Sequence, residues 1–172
     1  VNQLLAQDYG SPVEEKIYTE TDITVLNTSA LTVLRQYGND LGAIINAPFP
    51  KGYEQELSVI NRVNETENID DLSKLSLNIK RYKDMRDKIL ALPVPNALKT
   101  AHLALINSIS AMLEGVKGMV LIQTDPVGAT KMIARYEGGL NSIEFPFKEI
   151  AAYLKKRGIS FSSSESGYIL MR

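Results

Sequence analysis

One segment constrains this chain more than any other. From Asn96 to Thr124 the only formal charges are Lys99, Glu114 and Lys117, with His102 taken as neutral. Leu98, His102, Leu105, Ile109, Met112, Val116 and Met119 recur in steps of four and three, a heptad-like seam. Leu103, Ile106, Leu113 and Val120 form a second stripe beside it. A helix that is apolar on most sides belongs at the centre of a helical domain. At the helical rise it would be roughly 40 Å long. It is not read as a membrane span, because no apolar run approaches the ~20 residues that a span needs. His102, Asn107, Glu114 and Lys117 would also be costly in lipid.

The next segment repeats the pattern. Asp125-Pro126 reads as a cap followed by a first helical residue, where proline loses no hydrogen bond. Ala129, Ile133, Tyr136, Leu140, Ile143, Phe147, Ile150 and Leu154 keep one register through Gly138-Gly139 and Pro146. This predicts a single helix kinked near Pro146, with two shorter helices as the alternative. Gly158 stops it after Lys155-Lys156-Arg157, cations placed at the negative end of the dipole. Two such seams running antiparallel from the Asp125-Pro126 turn would set Ile109 and Met112 against Leu140 and Tyr136, and His102 near Phe147.

The remaining elements are shorter. Residues 1–18, with the Gly10-Ser11-Pro12 breaker, read as an arm or linker. Thr19 to Leu26 alternates in a strand-like way. A first helix runs from a cap at Asn27, Thr28 or Ser29 to about Asn46, with Gly38 and Gly42 pointing to a close helix contact. A second covers about Gly52 to Val63, with Tyr53, Leu57 and Ile60 inward. A third starts at Asp70 or Asp71 and presents Leu72, Leu75, Ile79, Tyr82 and Ile89. Lys80–Asp84, Lys83–Asp87 and Asp84–Lys88 are opposite-charge pairs on its outer side. Pro93 and Pro95 close it and hold Val94 extended. Ile159–Phe161 and Tyr168–Met171 are extended candidates, one of which could pair with Ile23–Leu26. The fold expected is all-α: a four- to five-helix antiparallel bundle with a long central hairpin, one domain over 19–172, and a small terminal strand pair.

Composition narrows the chemistry. The 172 residues hold no cysteine and one histidine, so no disulfide, thiolate zinc site, Cys nucleophile or multi-His metal site is available. No cofactor or metal is expected. Nineteen Lys plus Arg against twenty Asp plus Glu, with a pI near 5.9, speak against nucleic acid. No phosphate loop and no Gly-x-Ser-x-Gly are found. Glu14-Glu15, Asp70-Asp71 and Glu54-x-Glu56 do not make an acid–base dyad on spacing alone. No catalytic residue is assigned, and an enzyme is not expected. Two polar side chains stand out on the central helix. His102 reads as a core histidine bonded to a carbonyl or a tyrosine hydroxyl, or else as a switch or ligand contact. Asn107 reads as a buried amide fixing helix register, or else as a contact in a small-molecule pocket. As a mere core residue, His102 should be replaceable by Gln or Leu with no change in the pH dependence of stability between pH 5 and 8.

One set of residues carries a resemblance. Val94-Pro95, Leu98, His102-Leu103, Leu105 and Asn107 are followed by Asp125-Pro126, Ala129 and Tyr136, then by Gly158-Ile159-Ser160-Phe161 and Glu165-Ser166-Gly167. Over about residues 20–168 this resembles a group of uncharacterised helical extracytoplasmic domains of candidate-phyla (Parcubacteria-like) bacteria. The resemblance implies a cell-envelope location and an anchor upstream of Val1, so that the membrane is reached only through a segment this chain lacks. The expected function is a non-enzymatic structural or protein-interaction module of the envelope, with a protein partner. The alternative is a helical sensor or binding domain that holds a small ligand between helices near His102 and Asn107.

Overall fold

A computed structural model describes residues 16–172. It is an all-α bundle with one very small sheet. After a 3-10 turn at Glu20–Asp22, strand β1 is Val25–Leu26 and helix α1 is Leu31–Ile45. Helix α2 is Glu56–Thr66, and a 3-10 segment at Ile69–Lys74 leads into α3, Leu75–Ala91. Strand β2 is Val94–Pro95, and a 3-10 turn at Asn96–Leu98 opens α4, Lys99–Met119. Helix α5, Pro126–Lys156, is continuous through a buried Pro146. Asp125 caps it as the sequence requires, its Oδ1 accepting from the Gly128 amide at 2.9 Å. The two helices of the hairpin are joined by residues 120–125, a longer link than the two-residue turn expected.

Helix α4 is the centre. Every residue from Ala101 to Val120 is buried or half-buried. Its partner across the largest interface is α5. The two meet through small residues. A Cβ on Gly115 would lie 2.6 Å from Cβ of Tyr136 and 2.8 Å from the Met132 carbonyl. Gly139 sits equally close to Met112 and to the Ser108 carbonyl. Ser108 and Ser142 hydroxyls are 2.9 Å apart across the same contact. This corrects the register expected from the heptad seams. Met112 faces Gly139 and Gly115 faces Tyr136, while Leu140 is 39% exposed. The reason is that backbones approach where side chains are small, and this stripe of α4 lies beside the leucine–isoleucine seam.

The sheet is also not the one expected. β1 pairs with β2 in parallel, Val25 against Val94 and Leu26 against Pro95. Val94 is extended, as its flanking prolines require. The C-terminal segment forms no strand. It turns at Gly158 (φ +73°) and ends in a 3-10 helix, Ser166–Met171, laid along α1. Gly38 and Gly42 of α1 accept this segment: Phe161 packs on Gly38, where Leu154 of α5 is also close, and the Ser166 backbone packs on Gly42. Arg35 grips Glu165 with two hydrogen bonds, at 3.1 and 2.7 Å, and Asn39 Oδ1 accepts from the Gly167 amide at 2.9 Å. The Ser162 amide first, then Asn39 and Arg35, hold the Glu165 carboxyl down to a pKa of about 2.

Other expectations shift by small amounts. Of the three outer pairs on α3, Lys80–Asp84 forms at 2.8 Å, whereas Asp87 takes Arg86 instead. Glu114 and Lys117 pair at 3.0 Å, less exposed than a surface pair. Ile109 is fully buried and Leu140 is not, and this gives a stability test. Ile109→Ala should cost ~2–5 kcal/mol in urea unfolding. Leu140→Ala should cost less than ~1 kcal/mol, the range of positions outside the packed interior.

Candidate functional site

The two residues that the sequence singled out are not brought together. Positions 102 and 107 face different sides of α4. His102 is fully buried against α1, its Nδ1 3.0 Å from the Tyr37 hydroxyl. With that hydroxyl donating, the ring proton rests on Nε2, on the side of the Ile89 carbonyl. Burial holds the His102 pKa down to about 4, against a smaller opposing pull from the Ile89 carbonyl. Burial likewise raises the Tyr37 hydroxyl, so it keeps its proton and donates.

Asn107 is a clamp for the chain that enters the bundle. Its Oδ1 accepts from the Tyr18 amide at 2.8 Å and its Nδ2 donates to the Tyr18 carbonyl at 3.1 Å. The side chain thereby replaces a sheet partner for that one residue. Tyr18 itself is buried, so the arm expected over 1–18 ends before it; the rest of that expectation, up to residue 15, lies outside the described residues. A shallow groove of about 600 Å³ runs past Asn107 between α4 and α5, and His102 is not among its lining residues.

A different group of residues makes the chemical centre. Glu56 is the first residue of α2 and is 2% exposed. Among the described residues it is the one buried charged side chain, and it enters no ion pair. Its Oε1 accepts from Asn78 Nδ2 at 2.7 Å and from the Tyr53 hydroxyl at 3.2 Å; its Oε2 accepts from the Tyr136 hydroxyl at 2.8 Å. Tyr82 stands behind, its hydroxyl 3.5 Å from that of Tyr136 and the two rings edge to face. The free amides at the start of α2 add a favourable field for a negative group. Burial first, and the Glu56 charge after it, raise the Tyr82 and Tyr53 hydroxyls, and burial does the same for Tyr136. The phenols therefore stay protonated as donors.

This group opens to the surface. Tyr53, Glu56, Tyr82 and Tyr136 line a cleft of about 290 Å³ whose rim includes the exposed Gln55, Leu57 and Leu140. Two larger grooves, about 500 and 600 Å³, lie along α5, but neither is lined by a buried charged side chain. Next to the cleft an ion cluster fixes the start of α2: Arg62 bonds Glu54 at 2.6 Å and Asp71 at 2.8 Å, and Lys74 spans the same two carboxylates at 3.1 Å. The Arg62 hydrogen bonds, then those of Lys74, pull both carboxyls below their ordinary range.

Sequence reasoning passed over Glu56. It placed α2 four residues too early, which turned Leu57 inward; Leu57 is in fact at the surface. The signal was present. Glu56 is in phase with Val59, Ile60 and Val63, the buried stripe of α2 at spacings of three, four and seven. Tyr82 and Tyr136 were legible as inward residues, but not as neighbours.

Among the described residues no group of three or more His, Asp or Glu side chains could hold a metal ion, and no helix is long and apolar enough to cross a membrane. No protein-family model, curated protein or solved structure matches the chain.

His102 is a core histidine bonded to a tyrosine hydroxyl, and its burial leads to a pH dependence that the sequence reading did not expect. Its folded-state pKa lies below the unfolded value of about 6.5, so the neutral form is favoured on folding. The stabilisation is complete above pH ~6.5 and is lost as pH falls toward 4. At pH 5 it should be reduced by roughly 2 kcal/mol. His102→Gln, which keeps an acceptor for Tyr37, should remove that loss when urea unfolding at pH 7 and pH 5 is compared. Equal losses in both proteins would contradict this.

Proposed function

We propose that the chain is a non-enzymatic binding module of the cell envelope, and that it seats a small ligand in the cleft formed by α2, α3 and α5. One observation carries the reading. A buried carboxylate lies at the base of an open cleft, fully hydrogen-bonded on Oε1 but accepting a single bond on Oε2. A carboxylate has room for about four such bonds. Concave sites with a few convergent polar groups on an apolar or aromatic wall are the usual form of small-molecule sites. At about 290 Å³ the cleft lies at the lower end of their size range, roughly 300–1,000 Å³. The envelope part of the proposal rests on the resemblance carried by the helix boundaries of residues 20–168. His102 and Asn107 are engaged with Tyr37 and the Tyr18 backbone, so the seat is placed at Glu56 instead.

A second reading, recognition of a protein partner, is favoured by the outer side of α5. Val127 and Phe145 are 70% and 65% exposed and lie five helical turns apart on one side. Val127→Ser with Phe145→Ser would alter that surface and leave the cleft intact.

The test is a thermal-shift screen of cationic, neutral and anionic metabolites on the wild type and on Leu140→Trp, which fills the rim of the cleft. A ligand at a hundred times its Kd adds about 2.7 kcal/mol to the folded state. For a chain of this size that is a rise in Tm of roughly 5–10 °C. At least one compound should produce such a rise in the wild type and not in Leu140→Trp. The proposal fails if no compound shifts the wild type, or if the blocked variant responds equally.

A further inference from the structure

We propose that the ligand of this cleft is a small organic cation, a protonated amine or a quaternary ammonium group; this rests on the reading of the cleft as a ligand seat. Glu56 is surrounded by neutral donors only: one amide and two phenols reach its oxygens. Hydrogen bonds satisfy the oxygens but leave the negative charge without a counter-charge, and a buried charge is tolerated best when paired. A cation entering the cleft supplies what the donors do not. The walls suit it. Tyr53, Tyr82 and Tyr136 line the same cleft as Glu56, and the negative faces of aromatic rings attract ammonium groups. The open acceptor position on Oε2 offers a primary amine one direct hydrogen bond. A quaternary ammonium group would use the ring faces instead. An anion would meet the Glu56 charge. A divalent metal ion would find one carboxylate where hard cations want six or more oxygens. Tyr53 and Tyr136 remain protonated and so keep donating to Glu56, since burial raises both.

The test uses the whole chain carrying ¹³C-labelled tyrosine rings, titrated at low ionic strength and followed by NMR. The probes are choline, its uncharged isostere 3,3-dimethylbutan-1-ol, n-butylamine and butyrate. Choline or butylamine should shift the Tyr53, Tyr82 and Tyr136 signals saturably, and about tenfold or more tightly than the isostere or butyrate. Which cation binds more tightly tells whether Oε2 or the ring faces dominate. Glu56→Gln should abolish the preference of choline over its isostere. If that variant does not fold, Leu140→Trp, which fills the rim of the cleft, should weaken the binding of both cations with the fold retained, and the wild-type comparison stands by itself. If the uncharged isostere binds as tightly as choline, the cationic class is wrong while the cleft remains a ligand seat. If no probe of any charge moves these signals, the cation proposal falls; if the wider screen is silent too, so does the seat.

Discussion

The burial of α4 on all sides is the constraint from which the rest of the structure follows. A helix with no exposed residue between 101 and 120 must be covered by the elements around it. α1 and α3 cover its leucine–isoleucine seam, α5 covers its small-residue stripe, and the Tyr18 segment closes a remaining side. Several polar side chains on α4 take partners within the protein. His102 takes Tyr37, Asn107 takes the Tyr18 backbone, Ser108 takes Ser142, and Glu114 takes Lys117. The first three contacts join elements distant in sequence, so His102, Asn107 and Ser108 specify which neighbour sits where. That role accounts for where His102 and Asn107 sit, each engaged with a neighbouring segment.

Glu56 follows the opposite logic. It is not on the central helix, and its partners lie on three different elements: Tyr53 before α2, Asn78 on α3 and Tyr136 on α5. A carboxylate placed inside without a cation costs desolvation that neutral hydrogen bonds only partly offset. The arrangement locks the start of α2 onto the bundle, with the Arg62–Glu54–Asp71–Lys74 cluster on its outer side. An apolar side chain could have made the same junction with less desolvation. The presence of a buried carboxylate next to an open, tyrosine-lined cleft is what favours a binding role over a purely structural one.

Much of the fold was legible from sequence because it depends on local rules. Asp125-Pro126 capped α5, Gly158 ended the chain's run past it, and the near-absence of charge between Asn96 and Thr124 placed α4 at the centre. What was illegible depends on pairing. The α4–α5 register is set by Gly115 and Gly139, which contribute nothing to a hydrophobic seam yet permit the closest approach. The sheet joins Val25 to Val94, two segments with no strand signal strong enough to predict a partner. The candidate site was hidden for a similar reason. Glu56, Asn78 and Tyr136 are far apart in sequence, and no spacing connects them before the helices pack. Only Glu56's phase with Val59, Ile60 and Val63 was visible, and a helix start placed too early concealed it.

Native-state hydrogen exchange reads the stability of each helix separately. If α4 is the core that its neighbours cover, its amides from about Leu105 to Val116 exchange only by global unfolding, with the same free energy as urea denaturation. The amides of α2, held on one side of the bundle, open at lower free energy while α4 stays protected. Exchange of the α4 amides through a partial opening that leaves α1 and α3 intact would contradict the account.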